Sequence, residues 1–394
     1  MTTVDEHRAA LADLGITGRP ATVALAAATG ALCDEDIRTH RPVPGHDTAA
    51  MDGFACRSED LRRTATLTVA AVSLAGRRDQ RIAVTPGCAV QVMTGAPVPD
   101  CADIVVPVEA TSGFVEGPGA EVTVDRVPAR TNISRVGSEI AVGTTLVPAG
   151  SVLRPPTLGA LAAIGRSTVR VRSTLTVAVL STGTELVPAD VEPADGEVPE
   201  SNSGMIAADL RTIPGVCVLR APVVADDRAT FLDAMHEYAA RSDLVVTTGG
   251  IGMGTADVVR STLGDDVGFT FCRVAMKPGR PQGRGRFAGT PTICLPGSPA
   301  GAFVSYELFV RPRVVAALGR PDLDRRTLTG TYAGLDIPSP TEGVRVVPGR
   351  RDADGVVRAE TSRAGLVQLA TCDCWFVVDG DGLTDGDAVT VSLL

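Results

Sequence analysis

Aromatic side chains make up only 3% of this 394-residue sequence, and Trp375 is its one tryptophan. Proteins that read single-stranded nucleic acid stack bases on aromatic rings, so that class of function is poorly served. A formal net charge of -9 works against it as well, because it repels phosphate backbones and leaves any phosphorylated ligand to a local basic pocket. Long apolar runs are missing too. Gly, Pro or a charged residue interrupts each hydrophobic segment before the roughly 20 residues that a membrane-spanning helix needs. Residues 1–10 carry Asp5 and Glu6 and no apolar stretch of the kind a secretory leader requires, so the chain reads as cytoplasmic, with no membrane partner. The histidines His7, His40, His46 and His236 show no metal-ligand spacing. Nine cysteines, an odd number scattered from Cys33 to Cys374, match reduced thiols better than a disulfide framework. Cys372 and Cys374 are the one close pair; alternation along a strand would place both on one face as buried thiols rather than as half of a zinc site.

What is present is globular: 44% hydrophobic and 21% charged residues, in a chain too long for a single core. Residues 1–30 repeat Ala and Leu at helical spacing, over Ala9 to Leu14 and Val23 to Ala31. From Arg41 to about Pro148 the pattern is short β-like segments split by Gly and Pro, such as Thr66 to Val72 and Cys88 to Met93. A helical stretch follows at Pro156 to Ile164. Near Leu175 apolar strands begin to alternate with amphipathic helices. Leu175 to Leu180, Cys217 to Val223, Leu244 to Thr247 and Thr292 to Leu295 suit buried parallel strands. Gly204 to Thr212, Ala229 to Arg241 and Ala300 to Val310 suit crossover helices, giving a doubly wound α/β sheet with its ligand site at the carboxyl ends of the strands. From Leu328 onward, Gly-Asp turns between Val-rich stretches predict a small β-barrel or sandwich.

Three strand ends run into polar or glycine-rich turns: Ser181-Thr182-Gly183-Thr184-Glu185, Gly249-Gly250-Ile251-Gly252-Met253-Gly254-Thr255-Ala256-Asp257, and Pro296-Gly297-Ser298-Pro299. Glycine lets the backbone approach a ligand closely, and a following helix offers unpaired N–H groups. Each turn alone is bland, and Ser298-Pro299 is also simply a good helix start. Together they make a cradle for an anion. Met276-Lys277-Pro278-Gly279-Arg280-Pro281 places two cations on one turn, an arrangement suited to a dianionic oxyanion, although most such pairs are solvated surface turns. Asp52, Glu139, Glu185, Glu200 and Asp257 are acidic candidates for a hard cation bridging to phosphate.

These segments resemble a known family. Asp47-Thr48-Ala49-Ala50-Met51-Asp52-Gly53-Phe54-Ala55 is similar to the D-N-S-A-M-D-G-Y-A segment of MoeA proteins and gephyrin, and Met93 to Pro99 matches M-T-G-A-P-V-P outright, with Glu109 where the family's next glutamate falls. Ser181 to Leu186, Glu200-Ser201-Asn202, Gly249 to Asp257, Met276 to Pro281 and Leu295 to Pro299 follow in family order, so that seven motifs span roughly residues 42–313. The resemblance implies a multidomain α/β protein: a helical linker domain (1–45 and 140–174), an inserted β-rich domain (46–139), a doubly wound α/β molybdopterin-binding domain (175–320) and a C-terminal β-barrel (321–394). It further implies a homodimer that inserts molybdate into adenylylated molybdopterin with AMP release, using Mg2+, between an upstream molybdopterin adenylyltransferase and recipient molybdoenzymes. Carried over by position, Asp52, Thr94, Glu185, Asp257, Lys277 and Arg280 are the catalytic candidates. Ser181, Thr182, Gly183, Gly249, Gly250, Gly254, Pro296, Gly297 and Ser298 are the pterin-binding candidates, and Glu185, Asp257 and Glu139 the metal candidates.

Some motif positions depart from the pattern. The N-I-R-R-R-G-E-D-I segment has become Asn132 to Ile140, with two arginines lost and Glu139 in place of Asp. Arg280 replaces Lys, Gly252 replaces Ser, Thr255 replaces Glu, Glu200 replaces Asp and Ser298 replaces Asn. The C-terminal serine-bearing motif reads Ser362-Arg363-Ala364-Gly365-Leu366-Val367-Gln368. Such departures leave a second reading, a non-catalytic molybdopterin-binding or scaffold paralogue. Retention of Asp52, Thr94, Glu185, Asp257 and Lys277 favours the enzyme.

Overall fold

A computed structural model describes residues 1–76, 82–252, 257–264, 268–359 and 365–394. Two compact units emerge: one made of 24–27 and 35–169, the other of 1–23, 28–34 and 170–394.

The smaller unit is built on a five-stranded sheet in the order Ile104–Pro107, Gly53–Cys56, Cys88–Val92, Thr66–Ser73, Glu121–Thr123. Phe54, Leu67, Val69, Val106 and Val122 fill one face, while Ala55, Val90, Val92 and Val105 fill the other, the two-residue alternation expected of a sheet covered on both sides. Short ribbons pair Thr48–Ala49 with Ile133–Ser134 and Ile37–Arg38 with Thr145–Val147. Helix Pro155–Ala163 begins on two prolines, which need no N–H partner in a first turn.

The larger unit carries a seven-stranded mixed sheet. Thr168–Ser181 runs parallel to Val216–Arg220 on one side and to Leu244–Thr248 on the other, and Leu244–Thr248 runs parallel to Thr290–Leu295. Along these strands Val177, Val179, Leu244, Val246, Ile293 and Leu295 point into one core, against Ile206, Leu210, Val304 and Val314. Ala178, Leu180, Val245 and Cys294 point into the other, against Phe231, Met235, Val259 and Leu263. Because both faces are covered by helices, the strands are almost uninterrupted hydrophobic runs. Two further strands, Phe269–Arg273 and Pro281–Phe287, extend the sheet antiparallel, so the doubly wound core grades into a hairpin edge.

Two expected features come out differently. The helical spacing at Val23 to Ala31 gives the edge strand Arg19–Ala24 and a single 3-10 turn Leu25–Ala27. Pro20, Thr22 and Val23 favour extended backbone, and pairing with Thr168–Ser181 overrides the helix preference of the alanines. Cys372 caps the end of helix Leu366–Thr371 and only Cys374 enters strand Cys374–Val378, so the two thiols do not share a strand face. Burial pushes the Cys374 thiol up to about 12.

The predicted helix at Ala300 to Val310 continues further, as Pro299–Ser305, a π turn Tyr306–Val310 and Arg311–Ala317. Pro312 has no N–H for the Leu308 carbonyl four residues back, and Arg8 Nε takes that place at 3.3 Å. The C-terminal strands close into a five-stranded barrel in the order Val344–Arg351, Val356–Ala359, Thr327–Tyr332, Ala388–Leu393, Cys374–Val378 and back to Val344–Arg351. Tyr332, Val347, Val357, Phe376 and Val391 form its core.

Candidate active site

The parallel strands place the ends of Thr168–Ser181, Leu244–Thr248 and Thr290–Leu295 side by side, and the turns that follow surround a cleft of about 540 Å³. Thr182, Gly183 and Glu185 line it from the first turn, Gly249, Gly250, Gly252 and Asp257 from the second, and Pro296, Gly297 and Ser298 from the third. Asp226, which the sequence did not single out, lines it too. Its Oδ2 accepts from the Thr184 N–H at 3.0 Å and its own N–H donates to Thr184 Oγ1 at 3.1 Å, which locks the turn that carries Glu185. Asp226 lies beyond the neighbouring edge strand, and only sheet order brings it here.

Gly249 has φ +95°, and a Cβ there would overlap the Thr182 carbonyl oxygen, so glycine is required for the first two turns to meet. The Thr248 hydroxyl donates to the Pro296 carbonyl at 2.9 Å, and Asn202 Nδ2 donates to Thr248 Oγ1 at 3.0 Å and to the Gly297 carbonyl at 2.8 Å. Asn202 therefore ties the second turn to the third. The Asp257 carboxylate lies over Gly252, 2.9 Å from where a Cβ would stand, so a side chain at this position, where the family pattern has serine, would meet that carboxylate directly.

Not every candidate reaches the cleft. Ser181 is turned into the wall, where its hydroxyl donates to Glu200 Oε1 at 2.7 Å. Glu200 is 4% exposed and also accepts from the Ser203 N–H at 2.7 Å, the Ser203 hydroxyl at 2.6 Å and Arg220 Nη2 at 3.0 Å. Burial pushes its pKa up, but these donors outweigh it and hold the carboxyl below its ordinary value. With both oxygens taken, Glu200 is a brace behind the cleft rather than a metal ligand. Gly279 and Pro281 of the cationic turn line the cleft, while Lys277 is exposed and neither its side chain nor that of Arg280 is part of the wall. Gly254 lies outside the described residues.

Asp52, Thr94 and Glu139 belong to the smaller unit. There Asp52 Oδ1 accepts from the Thr94 N–H at 2.6 Å and the Thr94 hydroxyl at 2.7 Å, which lowers its pKa and joins two motifs that are far apart in sequence. Glu139 is exposed. One compositional signal marks the cationic turn: of the 37 Lys and Arg residues in the chain, Lys277 is the only lysine.

Residues 2–165 match the family model for the MoeA N-terminal region (domain I and II), and residues 178–316 match that for a probable molybdopterin binding domain. Molybdopterin molybdenumtransferase 2 of Mycobacterium tuberculosis is 39% identical over 333 residues, covering 82% of this chain and 81% of that one. Molybdopterin molybdenumtransferase 1 of the same organism is 32% identical over 428 residues, covering 100% and 99%. The chain belongs to the MoeA family of molybdopterin molybdenumtransferases. The fold agrees: a crystal structure of a molybdopterin biosynthesis MoeA protein from Pyrococcus horikoshii OT3 aligns with TM-score 0.60 at 25% identity, over 100% of both chains. A second structure from Pyrococcus aligns with TM-score 0.70 at 24% identity, over 100% of this chain and 99% of the other. No helix among the described residues is long and apolar enough to cross a membrane.

Proposed function

We propose that this MoeA protein inserts molybdate into adenylylated molybdopterin and releases AMP, and that the chemistry takes place in the cleft where the three turns meet. The observation that carries this reading is the combination, on one rim, of turns built for close backbone approach with the carboxylates of Glu185, Asp226 and Asp257. Phosphoanhydride cleavage needs positioning and charge neutralisation more than a strong nucleophile, and both are what such a rim supplies. Thr182, Gly183, Gly249, Gly250, Pro296, Gly297 and Ser298 hold the phosphates and pterin, and Lys277 with Arg280 draws in the molybdate dianion. Asp52 and Thr94, already bonded to each other, complete the site from a second copy of the chain in a homodimer.

The donor set fits Mg2+. Glu185, Asp226 and Asp257 offer only hard oxygen ligands, and among the described residues no group of three His, Cys, Asp or Glu side chains is gathered to hold an ion unaided. Mg2+ commonly takes one or two carboxylates and completes its shell with water and substrate phosphate. Asp257 and Glu185 would hold it, and when bound it neutralises charge on the phosphoanhydride oxygens.

Purified protein incubated with adenylylated molybdopterin, Mg2+ and molybdate should release AMP in a molybdate-dependent way. Asp257→Ala should lower that rate by about two orders of magnitude or more. Lys277→Ala should raise the molybdate requirement while pterin binding persists. Full activity in both variants would overturn the assignment, whereas tight pterin binding by the wild type with no AMP release would favour the scaffold reading.

A further inference from the structure

We infer that the C-terminal barrel positions Lys277, and that Gly343 is the residue through which it does so. The inference rests on the proposed oxyanion role of Lys277. The barrel closes with its own five strands, yet a sixth segment, Met276–Lys277, pairs with it from the α/β part of the chain. It runs parallel to Val344–Arg351, with Met276 opposite Val344 and Lys277 opposite Arg345. Val356–Ala359 covers the other end of that same strand edge, at residues 349–351, and leaves 344–345 open for the Lys277 segment.

The junction is held by backbone groups. The Val344 N–H donates to the Ala275 carbonyl at 2.9 Å, and on the opposite side the Ala275 N–H donates to the Thr2 carbonyl at 2.8 Å. Gly343 has φ +66°, and a Cβ there would overlap the Ala275 carbonyl oxygen. That oxygen is backbone and has no rotamer through which to move aside, so only glycine lets the barrel loop come this close. Beyond Lys277, the Gly279 carbonyl accepts from Gln282 Nε2 at 2.7 Å. Among the described residues no side-chain hydrogen bond or ion pair fixes the Lys277 ammonium. Its location is therefore set by the path of its backbone, and whatever displaces residues 275–277 displaces the charge. Gly343 acts as a positioning residue for the one lysine in the chain.

The test compares Gly343→Ala with wild type in molybdate-dependent AMP release and, separately, in pterin binding. The inference expects KM for molybdate to rise about tenfold or more, with kcat at saturating molybdate and the pterin Kd within about twofold of wild type. An unchanged KM for molybdate, or an equal loss of pterin affinity, would overturn it. A second measurement needs no variant: amide exchange of Val344 in the wild-type protein should slow when molybdate binds, because a ligand that prefers the positioned lysine must stabilise the junction that positions it. Exchange at Val344 that ignores saturating molybdate counts against the inference. Failure of the wild type to show any molybdate-dependent release would instead remove the oxyanion role of Lys277, and with it this inference, which is a different outcome from a Gly343→Ala variant that behaves like wild type.

Discussion

His7 shows how far a single side chain departs from its solution behaviour in this fold. It is fully buried, its ring meets Phe309 edge-on at 4.7 Å, and its Nδ1 lies 3.7 Å from Cys272 Sγ. Burial first, then the nearby Arg284 charge, lowers its pKa from 6.5 to about 4. The folded state thus takes up this proton less readily than the unfolded one, so stability is full above pH 6.5 and is lost as pH falls toward 4. At 1.36 kcal/mol per pKa unit the loss is about 3 kcal/mol. Urea titrations at pH 7.5 and pH 4.5 should show it, and His7→Leu should flatten that slope. Glu200 makes the complementary case. Glu200→Ala strips the acceptor from Ser181, Ser203 and Arg220. It should cost about 2–3 kcal/mol in denaturant midpoint analysis. Because Glu200 stands behind the cleft, Mg2+ affinity should change little; a large loss of Mg2+ binding with unchanged stability would make it a ligand after all.

Among the elements, the three strand-end turns depend on clearances as much as on side chains. Gly249→Ala would push Thr182 away from the second turn. It should destabilise the protein by about 1–3 kcal/mol, and calorimetric titration should find pterin affinity reduced by an order of magnitude or more, since the turns no longer meet. Wild-type affinity would mean that the ligand uses a different rim. The elements themselves were largely legible in the sequence. Leu244 to Thr247 and Thr292 to Leu295 carry uninterrupted apolar runs because helices cover both faces of the sheet, and that burial is written in composition. Val23 to Ala31 was not legible, since its alanines and leucines do favour a helix locally, and only the edge pairing, which the segment itself does not record, overrode that preference. Of the site, the turns could be read from their glycines. Asp226 could not, because no motif surrounds it and it reaches the rim through strand order alone. Ser181 and Glu200 misled for the opposite reason: they sit within a motif, yet alternation along the strand turns Ser181 away from the cleft.

Across the larger unit as a whole, one ion network joins the α/β core to the segment that leads into the barrel. Asp209 accepts from the Tyr306 hydroxyl at 2.5 Å, Arg311 Nε at 3.1 Å and Arg325 Nη2 at 2.7 Å, and Arg325 also pairs with Glu307 at 2.7 Å. Burial, followed by the Asp209 charge, pushes the Tyr306 phenol far up, so it stays a donor at any working pH. The Glu307 side chain is 1% exposed, and Arg325→Ala would leave it without its ion-pair partner. Removing one member of a buried pair costs about 3–5 kcal/mol. Scanning calorimetry should show the barrel transition separating from that of the α/β core in this variant; a single unshifted transition would mean that the network does not couple them.

The sequence by itself determined the order of elements, the alternation of apolar strands and helices, the glycines that permit tight turns and the seven motifs that mark a MoeA chain. These are local properties, fixed by side-chain periodicity and backbone steric limits within a few residues. Only the tertiary structure decided which acidic groups share a cleft, which serve as braces, and that the segment carrying the one lysine is paired into the C-terminal barrel. Those outcomes depend on strand order and on contacts between residues tens to hundreds of positions apart, and no local pattern records them.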